Sequence, residues 1–159
     1  MADQKKMAII SIHGTLDMAY PPLILATTAA TLDIETTIYF TFYGINIVRK
    51  GYAEKLKVSP VGNPAMPMPM PIPDIVSALP GMTSMATSMM KGMAKKIGFP
   101  TIPELLSLCQ ESELIKMIVC QPSLDMFGWK REYMIDGLEF AGAAAFMDYA
   151  ASADIHLAF

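Results

Sequence analysis

The chain's two cysteines, Cys109 and Cys120, and His13 are the side chains best suited to nucleophilic or base chemistry near neutral pH. Cys120 closes the apolar run Leu114–Val119, and Pro122 and Ser123 directly after it open a short helix. A thiol between a strand end and a helix N-terminus meets partial positive charge, which favours the nucleophilic thiolate. Lys130 and Arg131 stand close enough in sequence to add positive potential. Position alone leaves two readings open, a reactive thiolate and a buried small hydrophobe, because free cysteine is among the most buried residue types. His13, with Gly14, ends the first apolar run and reads either as an electrostatic helper or as a hydrogen-bonded loop histidine. Cys109 falls on a helix running antiparallel to the third strand. At about 1.5 Å per helical residue and 3.3 Å per strand residue it lies roughly 15 Å below Cys120, beyond disulfide reach, and reads as core.

The elements that must position these residues alternate in type. Met7–Ile12 is a buried-strand run ending at His13-Gly14. Asp17 is a candidate cap for the helix Leu23–Leu32, with Pro21 and Pro22 expected near its first turn. Thr36–Tyr43, rich in β-branched and aromatic residues, predicts a second strand stopped by Gly44. Strand, helix and strand this close form a βαβ unit with parallel strands. Ile45–Leu56 reads as a short helix, Pro103–Gln110 as another, and Leu114–Val119 as the third strand. Pro122–Phe127 is a short helix closed by Gly128. Tyr133–Ile135 is a small strand, Leu138–Ser152 an alanine-rich helix and Ile155–Phe159 a last strand. The expected fold is α/β, a doubly wound and mostly parallel five-stranded sheet in the order 2-1-3-4-5, flanked by helices. In that order the first and third strands are neighbours, so His13 and Cys120 both border the crevice where ligands bind in open parallel sheets.

Between these halves lies a different kind of sequence. Ser59–Pro73 contains six prolines, three of them alternating with methionine from Met66 to Pro71, and this predicts an extended, polyproline-like stretch. Leu79–Ile97 regains a helical period, with Met82, Met85, Met89, Met93 and Ile97 on one side and Thr83, Ser84, Thr87, Lys91 and Lys95 on the other. Three readings stay open for this region: packing on the sheet or on a neighbouring subunit, contact with a membrane surface or partner through residues 79–97, and soft-metal binding by Met66, Met68 and Met70.

Composition narrows the function classes. At 159 residues the chain fits one domain. A net charge of −3, with no basic run interleaved with aromatics, gives no footprint for nucleic acid. The most apolar stretch, 141–159, is broken by Asp148 and Asp154, so no transmembrane segment is expected, and the N-terminal apolar run is too short for a signal peptide. A cytoplasmic protein follows, and two cysteines in a reducing compartment speak against a disulfide framework. No Cys/His cluster has zinc-ligand spacing. An apolar fraction of 53%, with fifteen methionines, exceeds what one small sheet covers and predicts a homo-oligomer.

Three segments resemble the DsrE/DsrF-like sulfur-trafficking family: Ile9-Ile10-Ser11-Ile12-His13-Gly14-Thr15-Leu16-Asp17, Phe40-Thr41-Phe42-Tyr43-Gly44, and the most specific, Asp136-Gly137-Leu138-Glu139-Phe140-Ala141-Gly142-Ala143-Ala144-Ala145. The resemblance implies a single DsrE-like domain over residues 1–159, with residues 58–100 as an insert. It also implies that a cysteine ending the middle strand, here Cys120, receives sulfane sulfur as a persulfide or thiosulfonate. The match looks closest to the branch associated with heterodisulfide-reductase-like sulfur oxidation, whose members pass sulfur to a TusA-like carrier. The expected function is a cytoplasmic sulfur carrier or sulfurtransferase using Cys120, with His13, Gly14 and Cys109 as auxiliary candidates and no metal or organic cofactor. The rival expectation is a non-enzymatic module that binds a small ligand or a protein, keeps Cys120 inert and assembles through its methionine-rich helix.

Overall fold

A computed structural model describes residues 4–59 and 81–159. Most of the proline- and methionine-rich run, including Met66, Met68 and Met70, lies outside the described residues.

Strand β1, Lys6–Ser11, leads into helix α1, Leu16–Thr31, and then strand β2, Glu35–Phe40. Helix α1 begins well before the prolines, so Pro21 and Pro22 lie inside it rather than in its first turn. An interior proline costs about 3 kcal/mol or more. Burial of Leu16, Tyr20 and Leu23 on one stripe, at roughly 1.5–3 kcal/mol per large side chain, offsets that loss. Thr15 is the N-cap residue. The orphan Leu16 amide donates to Lys57 O at 2.8 Å, and Asp17 Oδ1 accepts from the Ser59 amide at 3.0 Å instead of capping the helix.

After β2 the chain forms two 3-10 segments, Phe42–Val48 and Ala53–Lys55, where the spacing predicted one helix. Helix α2, Met82–Lys96, and helix α3, Ile102–Glu111, return it to strand β3, Ile115–Cys120. Helix α3 starts on a capping box in which Thr101 Oγ1 accepts from the Glu104 amide and Glu104 Oε2 accepts from the Thr101 amide at 2.7 Å. Helix α4, Gln121–Met126, follows without a gap. Strand β4 is Glu139–Ala141, later than expected: residues 131–133 form a 3-10 turn, and Met134 makes only an isolated antiparallel bridge to Arg49. Helix α5, Ala143–Ala150, and strand β5, Ile155–Ala158, complete the described fold.

All five strands are parallel, in the order β4-β3-β2-β1-β5. This corrects the expected 2-1-3-4-5: β2, not β1, lies beside β3. The cause is which face each helix covers. Helices α1 and α3 pack on each other over one face, with Leu16, Leu23, Leu105, Leu106 and Cys109 in one core cluster. Parallel connections are right-handed, so two successive crossovers on the same face step the sheet in the same direction, 1 to 2 to 3. Helix α5 covers the second face through Phe146 and Ala150 and brings β5 back to the free side of β1.

Helix α2 also differs from its sequence pattern. Its one buried residue is Thr87, from the supposedly polar side, whose hydroxyl accepts from the Val58 amide at 3.1 Å. Lys91 Nζ donates to Glu54 O at 2.6 Å, and Met90 packs against the first-face core. The methionine stripe is left half-exposed, with Met85 54% and the following Ile97 78% exposed. Among the described residues, no helix is long and apolar enough to cross a membrane.

Candidate functional site

Side chains alternate across a strand, so the second face receives Tyr39 and Thr41 from β2 and its end, Ile118 and Cys120 from β3, and Ala141 from β4. Cys120, 7% exposed, is the last residue of β3 and the N-cap residue of α4. It is paired with Ala141. Leu124 of α4 belongs to the first-face core and Phe146 of α5 to the second, so the connections leaving β3 and β4 go to opposite faces. Cys120 therefore lies at a topological switch point, at the carboxyl edge where parallel sheets bind ligands.

A chain of hydroxyls ends on its sulfur. Ser123 Oγ donates to Cys120 Sγ at 3.2 Å, and Thr41 Oγ1 stands 3.0 Å from Ser123 Oγ. Ser123 has one hydroxyl proton, so when it serves the sulfur, Thr41 is the donor in the second bond. Tyr39, 5% exposed, stacks on Phe146 at 4.8 Å with an interplanar angle of 15°. Its hydroxyl is buried and has no partner of good hydrogen-bonding geometry among the described residues, yet it lies close enough to Cys120 for each group to perturb the other's titration. Burial is the largest single influence on the Cys120 thiol and pushes it up. Interactions with the Ser123 hydroxyl, the Tyr39 phenol, the Ser123 backbone and Thr41 together outweigh it and hold the thiol below its ordinary value. Tyr39 moves the other way: burial, then Cys120, raises it, so it stays protonated as a donor.

Cys109 contrasts in its face of the sheet and in the direction its thiol is shifted. It is fully buried on the opposite face of the sheet, and burial pushes its thiol up to about 12. Both cysteines are free. His13 is exposed, and β2 separates its strand from that of Cys120, so the structure does not bring the pair together. Gly14 acts through close approach: a Cβ there would fall 2.0 Å from Tyr43 O. Gly44 is its counterpart, with a Cβ position 2.1 Å from Ser11 O and its amide donating to Ile12 O at 2.7 Å. Together they clamp the end of β1 to the segment that follows Thr41. Lys130 pairs with Glu132 at 3.8 Å, whereas Arg131 Nε donates to Gln121 Oε1 at 2.8 Å, which brings that guanidinium to the start of α4. Among the described residues, no group of three or more His, Cys, Asp or Glu side chains is arranged to hold a metal ion.

Thr41, Ser123 and Tyr39 were not singled out from sequence. Ser123 had a signal, since a residue three past a strand-end cysteine occupies the third position of the helix that cysteine caps. Thr41 lay inside a segment quoted for another reason. Tyr39 had none, because its nearness to Cys120 depends on β2 lying beside β3.

The profile of the DsrE/DsrF/DrsH-like family matches residues 3–158. The chain belongs to this family. It is 50% identical over 159 aligned positions, 98% of each chain, to a protein of Allochromatium vinosum named sulfur carrier protein DsrE2. Such coverage leaves no room for a large gap, so that relative has a counterpart of most of residues 58–100. The protein YrkE of Bacillus subtilis, named an uncharacterized protein, is 29% identical over 163 positions, 96% of each chain. The crystal structure of ychN from E. coli superposes with a TM-score of 0.56 at 12% identity, covering 98% of this chain and 100% of that one, and shows a shared DsrE-like fold.

Proposed function

We propose that this protein is a sulfur carrier that takes sulfane sulfur onto Cys120 as a persulfide and passes it to the thiol of a partner protein such as a TusA-like carrier. The observation that carries the reading is the set of hydroxyls around Cys120, which holds this thiol below its ordinary value while Cys109 is pushed well above it. The name of the 50% identical relative, sulfur carrier protein DsrE2, supports the same reading. In loading, the Cys120 thiolate attacks the outer sulfur of a donor persulfide. A new S–S bond forms, the donor's S–S bond breaks, and the donor thiolate leaves with the electron pair. In delivery, the acceptor thiolate attacks the outer sulfur on Cys120, and Sγ leaves as a thiolate stabilised by Ser123. Neither step needs an external oxidant or a cofactor. The acceptor approaches the carboxyl edge of the sheet, where Phe42, Tyr43 and Met126 are 49%, 63% and 60% exposed. We assign the protein to the cytoplasm, where thiols stay reduced, and residues 58–100 to assembly or docking rather than to loading.

The test is intact mass after incubation with inorganic polysulfide. Wild type and Cys109→Ser gain sulfur that a reductant removes, and Cys120→Ser gains none. Equal loading of the two serine variants overturns the assignment.

A further inference from the structure

The sheet buries a hydroxyl beside Cys120 to which the described residues offer no partner of good hydrogen-bonding geometry. Tyr39 is 95% buried by its exposure of 5%, and its Oη has no partner of good geometry among the described residues. A buried unpaired hydroxyl costs folding free energy, and such groups in native proteins call for an explanation, often a catalytic one. Packing does not supply it, because the stacking on Phe146 would be kept by a phenylalanine. Tyr39 and Cys120 lie in the same buried cluster on neighbouring strands, whereas Ser123 already holds Sγ itself at 3.2 Å. A loaded persulfide has a second sulfur one bond beyond Sγ, and when ionised its charge lies largely on that outer atom.

We propose that Tyr39 completes the loaded state, its hydroxyl donating a hydrogen bond to the outer sulfur of a persulfide on Cys120. This rests on Cys120 carrying sulfane sulfur. The two donors then have opposite duties. Ser123 stabilises Sγ, the leaving group in delivery, and so speeds release. Tyr39 stabilises the outer sulfur as an anion, the form that repels an incoming nucleophile, and so retains the cargo. Burial keeps Tyr39 protonated, so it remains a donor across the working pH range.

Cyanide stripping separates the duties. Cyanide attacks the outer sulfur, the S–S bond breaks, thiocyanate leaves, and the thiol of Cys120 is restored, with no other reagent. Wild type, Tyr39→Phe and Ser123→Ala are loaded with inorganic polysulfide, and thiocyanate release is timed at neutral pH. A hydrogen bond to a charged acceptor is typically worth a factor of about ten or more. Tyr39→Phe is therefore expected to load and then release thiocyanate about tenfold faster than wild type, while Ser123→Ala releases it more slowly. The melting temperature of Tyr39→Phe stays equal to wild type or rises, because the lost oxygen had no partner of good geometry among the described residues. A Tyr39→Phe protein that loads and releases at the wild-type rate overturns the assignment. One that melts well below wild type also overturns it, since the hydroxyl then has a structural partner. A wild-type protein that takes up no sulfur overturns the carrier reading, and this assignment with it.

Discussion

Replacing Ser123 with alanine removes the bond from Oγ to Cys120 Sγ at 3.2 Å, together with the 3.0 Å bond to Thr41. Hydrogen bonds to charged groups contribute about 1.5–3 kcal/mol, and sulfur is a soft acceptor, so the low end applies. At 1.36 kcal/mol per unit, the Cys120 pKa rises by about one unit. Thiolate at a pH below the pKa then falls about tenfold. The thiolate that remains is more nucleophilic, with a Brønsted slope of about 0.4–0.5, so alkylation at neutral pH slows only about threefold to fourfold. Iodoacetamide rates across a pH series read both numbers, the midpoint and the plateau. The stability consequence has a definite sign. A cysteine whose folded pKa is depressed stabilises the fold above its unfolded pKa and loses that contribution as pH falls through the folded value. Wild type therefore gains over Ser123→Ala on the alkaline side, and that difference shrinks with acidification. A second effect must be separated from this one. The substitution strands the Thr41 hydroxyl, which is 9% exposed, and an unpaired buried hydroxyl costs about 1–3 kcal/mol at any pH. Thr41→Val combined with Ser123→Ala removes that cost without restoring the thiolate. The double variant should recover stability but keep the raised pKa. A Ser123→Ala profile that superposes on wild type refutes the reasoning, and so does a double variant with a normal pKa.

Two further outcomes follow from other parts of the molecule. Light scattering at micromolar concentration should show a homo-oligomer, and changing Met85, Met89 and Met93 to Lys should reduce its size while Cys120 alkylates at the wild-type rate, because α2 contacts the first-face core and not the cluster around Cys120; a wild-type monomer, or loss of alkylation in a folded variant, contradicts this. Gly14→Ala and Gly44→Ala each place a Cβ within about 2 Å of a backbone oxygen, so each should cost on the order of 3 kcal/mol or more by thermal or urea unfolding; a wild-type midpoint for either would mean that the two segments are not clamped as described.

Much of the fold is legible in the chain. Buried strand runs at Met7–Ile12, Thr36–Tyr43 and Leu114–Val119, separated by helical periods, predict a parallel α/β sheet, and the strands lie within a residue of those positions except at the end of the second, which stops at Phe40. Local chemistry suffices for this, since alternation and turn residues act over short range. Cys120 was legible for the same reason: strand end and helix start are both neighbours in sequence. Pro21 and Pro22 misplaced the start of α1 because local propensity counts the missing donors and not the burial of Leu16 and Leu23 that offsets them. The methionine stripe of α2 misled likewise, because the partner of Thr87 is the backbone at Val58, 29 residues away.

Strand order belongs to tertiary structure alone. Either order satisfies the alternation of every strand, and the choice falls to which face α3 covers, decided by the fit of Leu105, Leu106 and Cys109 against α1. That single decision removed His13 from the side of Cys120 and put Tyr39 and Thr41 there. The chain by itself determines that a thiol stands at the carboxyl end of a parallel strand. Ser123 reaches that sulfur from the next turn of the chain, whereas Tyr39 and Thr41 come from β2 and its end, about 80 residues earlier, because neighbours in a sheet are chosen by packing on its faces.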